Sequence, residues 1–143
     1  MPGPLRLSLV TLGVEDIGRS TSFYEALGLE RSSASTSEVS FFDVGGAILS
    51  LYGRDALAAD AGLEPAGQSP GGQSLAWNLG SSAEVDKAIV RMVAAGGGLV
   101  KPAERTDWGG YVGYVADPDG HLWEIAHNPS FPLDADRRAR LPK

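Results

Sequence analysis

Glu124, inside the apolar run Leu122-Trp123-Glu124-Ile125-Ala126, has the chemistry for acid–base work. A carboxylate among apolar neighbours tends toward a raised pKa and can act as a general base. It can equally be a carboxylate held by nearby hydroxyls, with no part in chemistry. Few other reactive groups accompany it. The chain has no cysteine, which excludes disulfides, thiol nucleophiles, cysteine zinc sites and iron–sulfur clusters. His121 sits beside a turn, and His127 falls one residue past Ala126, so strand alternation puts it off the face of Glu124. Asp117-Pro118-Asp119-Gly120 lacks the ligand spacing of a calcium loop and reads as a structural turn. Gly96-Gly97-Gly98 follows a helical pattern instead of preceding one, so it is no phosphate cradle.

A single domain of 143 residues has to position these groups. With 43% hydrophobic and 21% charged residues, it has the balance of a globular chain able to bury a core. Twelve Lys and Arg stand against eighteen Asp and Glu, a net charge of −6. That deficit of cations argues against a nucleic-acid partner. The one basic cluster, Arg137, Arg138 and Arg140, follows Asp134 and Asp136 and reads as a solvated tail face. No apolar run approaches the roughly 20 residues of a membrane span. Met1 to Leu7 lacks the basic-then-apolar pattern of a signal peptide, so a cytoplasmic location is expected.

Leu7 to Val14 reads as a strand, and Asp16 as the N-cap of a helix. Ile17, Ser20, Phe23, Tyr24 and Leu27 follow at helical spacing, with Gly28 as the stop. Residues 31–37 read as a loop or weak edge strand. Val39 to Val44 and Ala47 to Tyr52 form a hairpin about Gly45-Gly46. Gly62, Pro65, Gly67, Pro70, Gly71 and Gly72 mark a linker, with a short helix over Asp55 to Ala61. Ser74 to Leu79 is strand-like, and Ser81 with Glu84 fits a capping box. Val85, Ala88, Ile89, Met92 and Val93 make one apolar helical face. Leu99 to Pro102 is extended, and Tyr111 to Ala116 and His121 to Ala126 flank the Asp117 turn.

This order repeats: strand, capped helix ending in Gly, extended piece, hairpin. Val14 corresponds to Leu79, 65 residues on, and the turn at Asp43–Gly46 corresponds to Asp117–Gly120, 74 residues on. The fold class is therefore α+β: two βαβββ modules, each a four-stranded sheet with its helix on the outer face. The modules span residues 5–53 and 74–127, joined by a linker over 54–73 and followed by a tail over 128–143, all within one domain over 1–143.

Residues 9–29, "LVTLGVEDIGRSTSFYEALGL", and 113–125, "GYVADPDGHLWEI", resemble the opening and the closing hairpin of vicinal oxygen chelate proteins. These are the glyoxalase, bleomycin-resistance and extradiol-dioxygenase group. The resemblance runs from about residue 5 to 129. It implies two sheets curled around a substrate cleft, in chains that often pair, so a homodimer is expected. Metal-using members of that group take ligands from the first and last strands of each half. Carried over, these positions are Leu9, Ser50, Ser74 and Glu124. Only Glu124 is a good ligand type, since leucine cannot ligate and a neutral serine hydroxyl is weak toward zinc, iron or manganese. The expectation is no metal and no cofactor.

If Glu124 faces the cleft, strand parity brings Leu122 and Ala126 with it and sends Trp123 and Ile125 toward the helix. Pairing across the Asp117–Gly120 turn puts Gly113 opposite Glu124 and Tyr111 opposite Ala126. By the repeat, Val39, Phe41, Ile48, Ser50 and Tyr52 face the cleft, completed by Leu9, Thr11, Ser74, Ala76 and Asn78. Trp108, between Asp107 and two glycines, can cap the cleft from a mobile loop or pack on a partner chain or the tail. The candidate ligand contacts are Phe41, Ser50, Tyr52, Ser74, Asn78, Trp108, Tyr111 and Glu124, with Glu124 the candidate catalytic group. Trp77, Trp123 and Tyr24 read as core.

This lining suits a small hydrophobic or aromatic molecule. The favoured function is a glyoxalase/bleomycin-resistance-like binding protein without turnover. The alternatives are a metal-free isomerase or lyase using Glu124, a metal-dependent glyoxalase or dioxygenase, and an interaction module with a filled cleft. The partner expected is a small-molecule ligand, with no nucleic acid and no membrane.

Overall fold

The computed structural model of the chain describes residues 3–64 and 72–142. The chain forms two compact units, Met1–Gly67 and Gln68–Lys143. The expected linker turns at Pro65, Gly67, Pro70 and Gly71 lie outside the described residues. Among the described residues no helix is long and apolar enough to cross a membrane.

The first unit contains β1 (Leu9–Val14), α1 (Ile17–Ala26), β2 (Val39–Asp43), β3 (Ile48–Gly53) and α2 (Arg54–Ala61). Its sheet has the order β1-β3-β2, with β1 parallel and β2 antiparallel to β3. Asp16 caps α1 by accepting from the Arg19 N–H at 3.0 Å, and Gly28 takes the left-handed turn just past its end. One sheet face, Leu12, Val14, Ser40, Phe42, Leu49 and Leu51, is buried. It packs against α1 through Phe23 and Tyr24, whose ring lies 6.3 Å from that of Phe42. A polar link crosses the same layer, where the Thr21 and Ser40 hydroxyls meet at 2.8 Å.

This sheet has three strands, not the expected four. The place of the fourth is taken by a single bridge, Arg31 to Phe42. The cause is local. The Ser35 hydroxyl accepts the Phe41 N–H that a strand partner would take, and Ser35 N–H turns back to the Ser32 carbonyl. Serine side chains here compete with the ladder and curl the segment.

The second unit contains β4 (Leu75–Asn78), α3 (Ser82–Ala94), β5 (Gly98–Arg105), β6 (Tyr111–Ala116) and β7 (Leu122–His127). Its order, β4-β7-β6-β5, reproduces that of the first sheet with the missing edge strand restored. Strand β5 is longer than the expected Leu99–Pro102 and carries register irregularities around Lys101 and Pro102. Proline is tolerated there because β5 is an edge strand. Helix α3 buries Val85, Ala88 and Met92. Ser81 Oγ accepts from the Glu84 N–H, as expected, whereas the Glu84 carboxylate reaches the N–H of Gly80 at 2.7 Å. Trp77 and Trp123 are half-buried, and Tyr24 is fully buried.

Candidate small-molecule site

The sheet face of the first unit opposite α1 carries Leu9, Thr11, Gly13, Val39, Phe41, Ile48, Ser50 and Tyr52. All of these except Gly13 are residues that parity in the sequence places together. Helix α2 begins where β3 ends and folds back over one end of this face. A Cβ on Gly13 would stand 3.0 Å from Arg54 Cγ and 3.4 Å from a Leu57 methyl, so glycine there admits the helix. Between α2, the sheet and the segment entering β2 is a pocket of about 320 Å³. Thr11, Val39, Ser50 and Tyr52 form its floor, Leu57 and Asp60 one wall, and Thr36 and Glu38 another. Ser50 is only 3% exposed. Phe41 shares the face but does not line this pocket.

The segment carrying Thr36 and Glu38 is fastened from below. The Arg31 guanidinium donates to the Ser40 hydroxyl at 3.0 Å and to the Thr36 carbonyl. Glu38 N–H donates to Thr36 Oγ1 at 3.1 Å. The buried Thr21–Ser40 pair therefore continues, through Arg31, to the pocket wall.

In the second unit Glu124 pairs with Tyr114 on one side and Ala76 on the other. This corrects the expected register by one residue: Gly113 pairs with Ile125, and Tyr111 with His127. The reason lies in the turn. Asp117 Oδ1 accepts from the N–H groups of both Asp119 and His121, and Asp117 N–H bonds to the His121 carbonyl. His121 therefore belongs to the loop, and one added loop residue turns every β6 side chain to the other face. Tyr111 moves to the α3 side, where its hydroxyl donates to Asp86 Oδ1 at 2.7 Å and its ring lies under the Arg105 guanidinium. Asp86 and burial push its phenol pKa up.

Tyr114 takes the place expected for Gly113, opposite Glu124. Its hydroxyl donates to Glu124 Oε2 at 2.8 Å, and this bond, with partial burial, raises its pKa. Asn78, paired with Ala126, shares this face, so Tyr114, Glu124 and Asn78 stand on one side of the sheet. Ser74 precedes β4 and is exposed. Trp108 lies at the β5–β6 loop, which Thr106 closes through its N–H, carbonyl and hydroxyl. Its indole folds onto Gly110, where a Cβ would stand 2.2 Å from the ring.

Sequence reasoning missed Tyr114, Leu57, Asp60, Thr36 and Glu38. Reading Asp117 as a side-chain cap would have lengthened the loop and found Tyr114. The α2 wall forms only when that helix packs over Gly13, which no local signal in the sequence marks.

The model of the glyoxalase/bleomycin resistance protein/dioxygenase superfamily matches residues 6–125. The chain belongs to this superfamily. Among solved structures it is similar to a glyoxalase-related enzyme from Fulvimarina pelagi, with 37% identity, 96% of this chain and 99% of that one covered, and a TM-score of 0.89. A glyoxalase/bleomycin resistance protein/dioxygenase from Nocardioides shares 25% identity over 89% of this chain and 85% of its own, with a TM-score of 0.71. A lactoylglutathione lyase from Agrobacterium tumefaciens shares 25% over 88% and 96%, with a TM-score of 0.67. No curated protein matches the chain.

The donor set at the superfamily's metal positions does not fit a divalent ion. Leu9 is apolar, Ser50 and Ser74 offer neutral hydroxyls, and Glu124 is the one carboxylate of the four. Among the described residues no three or more His, Cys, Asp and Glu gather as an ion site.

Proposed function

We propose that this superfamily member binds a small hydrophobic or aromatic molecule on the first sheet, in the pocket over Ser50 and Tyr52, without a metal. The pocket itself carries the reading. Its volume of about 320 Å³ lies at the lower end of the range for small-molecule sites, roughly 300–1,000 Å³. Tyr52, Val39 and Leu57 offer apolar contact, and Ser50 and Thr11 offer hydroxyls to orient a ligand. Thermal unfolding against a panel of small aromatic molecules, in the presence of chelator, tests it. A ligand that binds only the native state raises the midpoint by mass action. Tyr52→Ala should abolish the rise, and a rise that survives Tyr52→Ala would place binding elsewhere.

A second reading is a metal-free isomerase or lyase with Glu124 as general base. The hydrogen bond from Tyr114 favours it, because it supplies a second proton-bearing group beside the carboxylate. A carboxylate in this setting can take a proton next to a substrate carbonyl, and a phenol can donate one to the oxygen. Solvent-deuterium incorporation into a ketone substrate, lost in Glu124→Gln and reduced in Tyr114→Phe, would establish it. Incorporation unchanged in Glu124→Gln would refute it.

A further inference from the structure

We propose that the ligand of the first-sheet pocket is a cation, a protonated amine held between Glu38 and Asp60 with its apolar part against Tyr52 and Leu57. This rests on the small-molecule reading above and adds the charge of the ligand to it.

The pocket is lined by two carboxylates, from Glu38 and Asp60, and by no Lys, Arg or His. The two come from different elements, one from the segment before β2 and one from the last turn of α2. Neither is held in an ion pair among the described residues. Arg54 pairs with Glu15 at 3.5 Å, and Arg31 bonds the neutral Ser40 hydroxyl and Thr36 carbonyl; neither forms an ion pair with Glu38 or Asp60.

Ser50 adds an independent observation. It lines the pocket and is 3% exposed, and its hydroxyl, with no side-chain hydrogen bond among the described residues, is open to the pocket. An ammonium carries three donors and no acceptor. Two carboxylates and one hydroxyl oxygen satisfy that set, while Tyr52 and Leu57 cover the carbon skeleton. A carboxylate or phosphate ligand would meet like charge from both walls. The net charge of −6 adds attraction for a cation at long range.

The test compares three probes of one shape on the full chain in chelator at neutral pH and low salt: phenethylamine, phenethyl alcohol and phenylacetate. Dissociation constants come from NMR titration. The amine is expected to bind about tenfold more tightly than the alcohol, as two charge contacts of ordinary surface strength allow. Glu38→Gln and Asp60→Asn should each weaken the amine by a larger factor than the alcohol. Phenylacetate should bind weakest. Equal binding of amine and alcohol, both lost in Tyr52→Ala, would overturn the charge inference and leave the small-molecule reading intact. So would an amine preference that survives the Glu38→Gln, Asp60→Asn double variant. No binding of any probe, or binding indifferent to Tyr52→Ala, would overturn both.

Discussion

The phenol of Tyr114 donates to Oε2 of Glu124 across neighbouring strands, at 2.8 Å. The two residues are directly opposed in the β6–β7 ladder, so the contact is built by register and not by long side chains reaching past each other. It occupies an oxygen of the one carboxylate that the superfamily's metal positions retain. Whatever the sheet face does, it does with a paired carboxylate and phenol.

That pair makes the protein sensitive to alkali. The Glu124 hydrogen bond, then burial, then the Glu124 charge hold the Tyr114 phenol above the ordinary tyrosine value, which is about 10. A raised folded-state pKa contributes stability that is complete below the unfolded value and lost as pH rises through the folded one. Wild-type stability should therefore fall above pH about 10, and Tyr114→Phe should fall less steeply. At neutral pH the same variant should cost about 1 kcal/mol in urea unfolding. Phenol absorbance should show Tyr114 and Tyr111 ionising late, each step vanishing in its own Phe variant.

Ser40 is where core and pocket wall meet. Its hydroxyl joins Thr21 at 2.8 Å and accepts from Arg31 at 3.0 Å. Ser40→Ala should cost about 1–3 kcal/mol, because Thr21 is left buried without its partner. Arg31→Ala should cost less stability and more ligand affinity, since Arg31 also ties down Thr36. Parallel denaturation and binding titrations separate the two effects.

Gly113 is required by close approach. A Cβ there would meet Ile89 Cδ1 at 2.7 Å and Ala103 N at 2.9 Å, the latter backbone that cannot swing away. Gly113→Ala should lose about 1–3 kcal/mol by overpacking. Gly98→Ala, with nothing within 4 Å of the new Cβ, should stay within about 0.5 kcal/mol of wild type. Chemical denaturation of both variants checks the contrast.

The tail is fastened to α3 by a charge that acid removes. Arg137 donates to Glu84 Oε1 at 2.8 Å, and the Arg137 contact, followed by the Gly80 N–H, lowers the Glu84 pKa. A lowered folded-state pKa contributes stability present above the unfolded value and lost as pH falls through the folded one. Detachment of the tail from α3, followed by NMR shifts of its backbone amides, should therefore grow as pH falls below about 4.3. In Glu84→Gln it should already be present at neutral pH, with a smaller further change in acid.

Much of the fold was legible because its signals are local. Asp16, Gly28 and Ser81 end or start helices through their own side-chain or backbone chemistry, and Phe23, Tyr24, Val85 and Met92 fall at helical spacing on buried faces. The repeat then carried the strand order from one half to the other. Parity held in the first hairpin, placing Ser50, Tyr52, Val39 and Thr11 together. It failed in the second, because the Asp117 carboxylate recruits His121, four residues on, into the loop, and this one contact shifts the whole register. The short helix over Asp55 to Ala61 was visible as a pattern, but its return over Gly13 is tertiary packing. Leu57 and Asp60 could not be seen as pocket walls until the chain had folded.

The first sheet is expected to hold its small molecule without metal. The direct measurement is residue-resolved NMR of the chain in chelator, titrated with the aromatic ligand that most raises the unfolding midpoint. Saturable shifts are expected, concentrated at Thr11, Val39, Ser50, Tyr52 and Leu57 and unchanged when zinc, iron(II) or manganese replaces the chelator. Binding that appears only after metal is added, and that disappears in Glu124→Ala, would contradict it.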